Sequence, residues 1–173
     1  TFRCLGAKDN ARLRLRKLVA EIRPELVSRA ARILIKAGRC DLAMDLADAF
    51  LDRHVVLELA GQYGADLALT GHGRDICRAA TAMINAEKQE QEPTPAEALG
   101  VYLAAVSVCN TKLARYMASV IERAGDQAAR EVDPATWKIA QALTIAFYGD
   151  NDLGLPANPV VQERSEERRV GKE

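Results

Sequence analysis

The stretch Lys36-Ala-Gly-Arg-Cys-Asp-Leu-Ala-Met-Asp-Leu-Ala-Asp-Ala-Phe50 decides how this chain is read. It places a glycine between two amphipathic segments. Before Gly38, residues Leu26, Val27, Ala30, Ile33, Leu34 and Ala37 fall on one helical face. After it, Leu42, Ala43, Leu46, Ala47, Ala49 and Phe50 do the same. Pro24 suits the first turn of the leading helix, where its missing N–H costs nothing. Two such helices joined by a short glycine turn form a helical hairpin.

The break recurs. Gly73-Arg74 repeats Gly38-Arg39, with Val55, Val56, Leu59, Ala60, Tyr63 and Leu67 before it and Ile76, Ala79, Ala80, Met83 and Ile84 after it. A third break is Cys109-Asn110-Thr111, between Leu99, Tyr102, Leu103, Val106 and Leu113, Met117, Val120, Ile121. A fourth is the run Tyr148-Gly-Asp-Asn-Asp152, preceded by Trp137, Ile139, Ala140, Leu143 and Phe147. Thr94-Pro95-Ala96-Glu97 reads as an N-cap, a proline at the first helical position and a capping-box glutamate. Asp133-Pro134 is a second such start, and Gly125 suits a left-handed helix end. One more helix, about 9–22, would bury Leu15, Leu18, Val19 and Ile22.

Helix pairs at a period near 35 residues predict an all-α fold of antiparallel hairpins stacked as a short α-solenoid, with about seven or eight helices. An ordinary helical bundle is the alternative. The predicted organisation is a basic N-terminal helix over 1–24, a helical-hairpin repeat domain over 25–150, and a loop and charged tail over 151–173.

Composition agrees. Apolar residues make up 49% of the 173, enough for a core, but aromatics are only 5%. An Ala- and Leu-rich chain with few aromatics favours helices over strands. Lys plus Arg equals Asp plus Glu at 24 each, which argues against wholesale attraction to nucleic acid or membrane. No apolar run reaches the roughly 20 residues of a membrane span. The four cysteines do not form a disulfide-scaffold pattern, so a reducing, cytoplasmic setting is expected. The missing initiator methionine reads as a fragment.

The unit 30–50 resembles a degenerate tetratricopeptide-type hairpin, with Ala31, Gly38 and Ala43 at the family's small-residue, turn and alanine positions. Residues 98–102, Ala-Leu-Gly-Val-Tyr, echo that family's Leu-Gly and nearby Tyr. The second hairpin departs, with Arg78 five residues after Gly73, and the closing proline is absent. The run 34–50 is similar in style to irregular repeats of intraflagellar-transport and coatomer-like subunits. The resemblance implies a scaffold in a trafficking-type complex. Separately, Arg164-Ser-Glu-Glu-Arg-Arg-Val-Gly-Lys-Glu173 resembles translated adaptor read-through; a native charged tail is the alternative.

Candidate chemistry is sparse. Cys40, Cys77 and Cys109 with His72 lack the short ligand pairs of a zinc site. They read as small residues packed at turns, and no metal or other cofactor is expected. Residues 70–75, Thr-Gly-His-Gly-Arg-Asp, carry His72 in a glycine loop, but they match no phosphate loop. His54 reads as a solvated residue between helices. Asp41, Asp45, Asp48 and Asp52 share one face of a helix, the solvated side of an amphipathic helix in the simplest reading. Residues 11–17, Ala-Arg-Leu-Arg-Leu-Arg-Lys, are the strongest basic cluster, with Arg12 and Arg16 outward; they lack the aromatics of a base-stacking surface.

The expected function is therefore a non-enzymatic protein–protein interaction scaffold. Its expected partner-binding residues are Arg29, Arg32, Lys36, Glu58, Gln62, Arg12 and Arg16. The alternatives are a helical-repeat RNA-binding protein, which needs the same base-reading polar position in every repeat, and a small helical enzyme using the His72 loop.

Overall fold

The computed structural model describes residues 24–49, 53–85, 92–149 and 152–157. These form eight helices and no strand among the described residues: α1 (Pro24–Lys36), α2 (Cys40–Ala49), α3 (Arg53–Leu69), α4 (Gly73–Ile84), α5 (Pro95–Ser107), α6 (Thr111–Ala124), α7 (Asp126–Glu131) and α8 (Pro134–Tyr148). The fold is all-α. No helix among the described residues is long and apolar enough to cross a membrane. The predicted helix at 9–22, with Arg12 and Arg16, lies outside the described residues, as do Asp52 and the charged tail. The chain divides into two compact units, Thr1–Val56 and Leu57–Glu173, with the division in the first turn of α3.

One turn design recurs three times. After α1, the Arg39 N–H reaches back to the Leu34 carbonyl and the Gly38 N–H to Ile35. After α3, His72 reaches Leu67 and Gly71 reaches Ala68; after α5, Asn110 reaches Ala105 and Cys109 reaches Val106. This paired closure satisfies the last helical carbonyls and needs a left-handed residue just past the helix. Gly38 (φ +72°), Gly71 (φ +95°) and Cys109 (φ +59°) supply it. The true counterpart of Gly38 is therefore Gly71, two residues before the expected Gly73. Gly73 instead begins α4 and is buried against Ser107, Val108 and the Ala104 carbonyl, leaving no room for a Cβ.

With the turns aligned in this way, the same positions are buried in all three helix pairs. Three residues before the turn residue stand Ile35, Ala68 and Val106; seven before, Ala31, Gly64 and Tyr102; eleven before, Val27, Ala60 and Ala98. Nine after it stand Ala47, Ala80 and Ala118, all buried. The four-residue step of the leading helices is one face of an α-helix.

This assigns the buried face of α1 to Val27, Ala31 and Ile35, which corrects the expected one. Leu26 and Ile33 are 50% and 64% exposed, and Ala37 is exposed as well. α8 repeats the correction. Trp137 and Ala140 are buried, whereas Ile139, Ile145 and Phe147 are exposed. In both helices two apolar stripes exist at helical spacing, and packing selects one. α1 packs on α2 within the first unit.

In the second unit α5 is the enclosed helix. Every residue from Ala98 to Val106 is buried. It packs against α4, α6, α7 and α8, and its Gly100 meets the backbone of α3. Burial on all sides explains why α5 shows no polar face. Its start is fixed locally: the Glu97 N–H donates to Thr94 Oγ1, and the Thr94 N–H donates to Glu97 Oε2 at 2.8 Å. Asp133 caps α8 by accepting from the Thr136 N–H at 3.0 Å. Gly125 ends α6 at φ +51°, and the short helix α7 that follows had no counterpart in the sequence reading.

α8 is held to α5 by a polar relay. Thr144 Oγ1 donates to the Ala140 carbonyl, so its lone pair receives the Tyr102 hydroxyl at 2.8 Å. Past Gly149 the chain packs Leu153 inward, and the Trp137 indole N–H donates to the Pro156 carbonyl at 3.0 Å.

Cys109 carries left-handed strain that its two glycine counterparts avoid. A side chain there costs roughly 1–2 kcal/mol. Cys109→Gly is expected to raise the unfolding free energy by about 1 kcal/mol, and Cys109→Ala to leave it nearly unchanged. Urea unfolding of the two variants checks this.

Candidate functional site: a cleft at the kink of α3

α3 bends at Tyr63, whose backbone (φ −132°, ψ 21°) leaves the helical region. Glycines flank the bend at Gly61 and Gly64, a common setting for a helix kink. They also let α3 and α5 cross backbone to backbone. A Cβ on Gly64 would come 2.5 Å from Gly100 Cα, and one on Gly61 would come 3.1 Å from the Glu97 nitrogen. A Cβ on Gly100 would intrude on the Ala60 carbonyl. Close helix approach needs such small residues at the crossing point.

Beside the crossing lies a cleft of about 370 Å³, lined by Gly61, Gln62, Tyr63, Ala96, Leu99, Glu131, Val132, Asp133 and Thr136. Four elements build it: the bend of α3, the first turn of α5, the end of α7 and the start of α8. The N-termini of α5 and α8 meet it, but both are already capped from within the chain. Hydrogen bonds from Thr136 to the Asp133 carboxylate hold that group below its usual pKa, so it stays ionised. Glu131 accepts from the Gln127 amide at 2.8 Å. Among the described residues the lining therefore combines an apolar floor (Leu99, Val132) with a carboxylate rim and includes no cationic side chain.

Among the expected binding residues, Gln62 lines this cleft. Glu58, half-buried, stands one turn earlier on α3. Arg29, Arg32 and Lys36 are exposed on α1, in the first unit. Tyr63, Leu99, Glu131, Asp133 and Thr136 were missed as a site, because only the fold brings them together. The available signal was the glycine pair at 61 and 64, which marks a close helix crossing.

The other candidates resolve as structure. Gly71 and His72 close the turn after α3, and His72 Nδ1 lies 3.7 Å from Asp75, which pairs with Arg78. His54 is exposed within the first turn of α3 rather than between helices. Cys77 is buried, and burial pushes its thiol up to about 11, away from the reactive thiolate. Cys109 is exposed rather than packed. Asp45 is half-buried on α2. No group of three or more His, Cys, Asp or Glu among the described residues is placed to hold a metal.

Comparison with protein-family models, with curated proteins and with solved structures returns no match.

Proposed function

We propose that this chain is a protein–protein interaction scaffold without catalytic activity, whose second unit holds a segment of its partner in the cleft at the α3 bend. The observation that carries this reading is the make-up of the cleft. Its lining offers an apolar floor, the Gln62 amide and the carboxylates of Glu131 and Asp133, which are engaged in side-chain and capping hydrogen bonds. That inventory suits binding and orientation, since general acid–base work needs a group free to exchange a proton. At about 370 Å³ the cleft is at the small end for ligand sites, the size of one or two side chains.

The recurring turn and the shared buried positions support reading the chain as repeated helix pairs, in line with the tetratricopeptide-like resemblance. The enclosed α5 is the departure from simple two-layer stacking. Membership of a trafficking-type complex rests on the sequence resemblance alone. The RNA-binding alternative is less favoured. Positions three and seven past each turn residue read Asp41 and Asp45, Arg74 and Arg78, Lys112 and Tyr116, so neither position repeats one residue type across the three pairs. RNA recognition asks for a repeated reader.

The test is selection of peptides from a random display library on the intact chain. Gln62 is exposed at the cleft, and Gln62→Trp would fill its mouth. Selected peptides are expected to bind in the micromolar range and to lose at least about tenfold in affinity to the Gln62→Trp protein, with its circular dichroism unchanged. Binders indifferent to that substitution would count against the cleft.

A further inference from the structure

The cleft has a sign. Glu131 and Asp133 stand on its rim, and among the described residues no lysine, arginine or histidine lines it. Glu97 adds a third carboxylate beside Gly61, bound to the Thr94 N–H. The α5 and α8 N-termini would ordinarily attract an anion. Here each carries its own carboxylate cap, so that attraction is spent inside the chain. Beneath the rim, Leu99 and Val132 are buried apolar residues, and Tyr63 is half-buried beside them. An apolar floor under a carboxylate rim fits an aliphatic stem that ends in a cation.

We propose that the partner segment held in this cleft presents a lysine or arginine side chain, its stem against Leu99 and Val132 and its charged head between Glu131 and Asp133. This rests on the binding role given to the cleft above and names the chemistry of what is bound. Charge complementarity of this kind sets specificity and encounter rate more than affinity. The rim groups are exposed, so the charge contributes modestly, about fivefold in Kd.

The experiment is a ¹H–¹⁵N NMR titration of the whole chain with two blocked pentapeptides, Ac-Ala-Ala-Lys-Ala-Ala-NH2 and its norleucine counterpart, which keeps the four-carbon stem and drops the charge. The lysine peptide is expected to shift the amides of Gly61, Gln62, Ala96 and Thr136. The norleucine peptide should bind about fivefold more weakly. Glu131→Gln should narrow the difference between the two peptides, with the Trp137 emission unchanged as the check on folding. Asp133→Asn is the second variant, because asparagine keeps the α8 cap while removing the charge. If both peptides shift the cleft amides equally, the cationic occupant is overturned and the binding cleft stands. If neither does while a display-selected peptide shifts them, the cationic inference again falls alone. If selected peptides shift amides elsewhere, both readings fall together.

Discussion

Gly100→Ala is expected to destabilise the second unit by about 3 kcal/mol or more, the upper range for overpacking a core. The sign is the informative part. In the middle of an exposed helix the same change would stabilise by about 1 kcal/mol, since alanine is the better helix former. Here the added methyl meets the Ala60 carbonyl, a rigid backbone atom that cannot rotate away. α3 and α5 must separate, and the surrounding buried residues of α5 lose contacts with them. Gly64→Ala faces Gly100 Cα in the same crossing and should behave similarly. Urea denaturation followed by Trp137 fluorescence measures both. Unchanged or increased stability of Gly100→Ala would mean that the helices do not meet at this glycine.

The second large effect is Trp137→Ala, expected to cost about 3–5 kcal/mol, the range for emptying a large aromatic site. Trp137 is the chain's only tryptophan and is 1% exposed. It fills the core beside α5, and its N–H holds the segment 152–157 through the Pro156 carbonyl. Trp137→Phe keeps most of the apolar area and loses that bond, so it should cost only about 1–2 kcal/mol. The two variants separate packing from tethering. Thermal unfolding by circular dichroism gives the stability loss. Amide exchange at Leu153 and Gly154 should quicken in the phenylalanine variant before the helices are affected. An alanine variant as stable as the parent would contradict the placement of this indole in the core.

What the sequence made legible was local. The capping box of Thr94 and Glu97 and the Asp133 cap involve residues three apart, and short-range hydrogen bonding decides them. The helices, the recurring turn and the all-α class follow from periodicity and composition in the same way. The turn register of the second pair did not, because Gly71 and Gly73 both suit a turn and only the backbone shows which takes positive φ. The buried stripe of α1 was equally underdetermined: Leu26 and Ile33 match helical spacing as well as Val27 and Ile35 do. α5 hid its role because a helix enclosed on every side has no polar face to orient it. The cleft was least legible. Gln62 was within reach as an exposed residue of a leading helix, but Glu131, Asp133 and Thr136 join it only when α3 and α5 cross at three glycines. Contacts between residues more than thirty positions apart leave no trace in a single sequence.

The cleft is tested most directly by hydrogen–deuterium exchange of the intact chain with and without a display-selected peptide. New protection is expected over residues 58–65, 94–99 and 131–137, the three stretches that wall the cleft, with the exposed basic face of α1 (Arg29, Arg32, Lys36) unaffected. Protection confined to α1, or to the outer face of α8 around Ile139 and Phe147, would contradict it and move the binding surface away from the α3 bend.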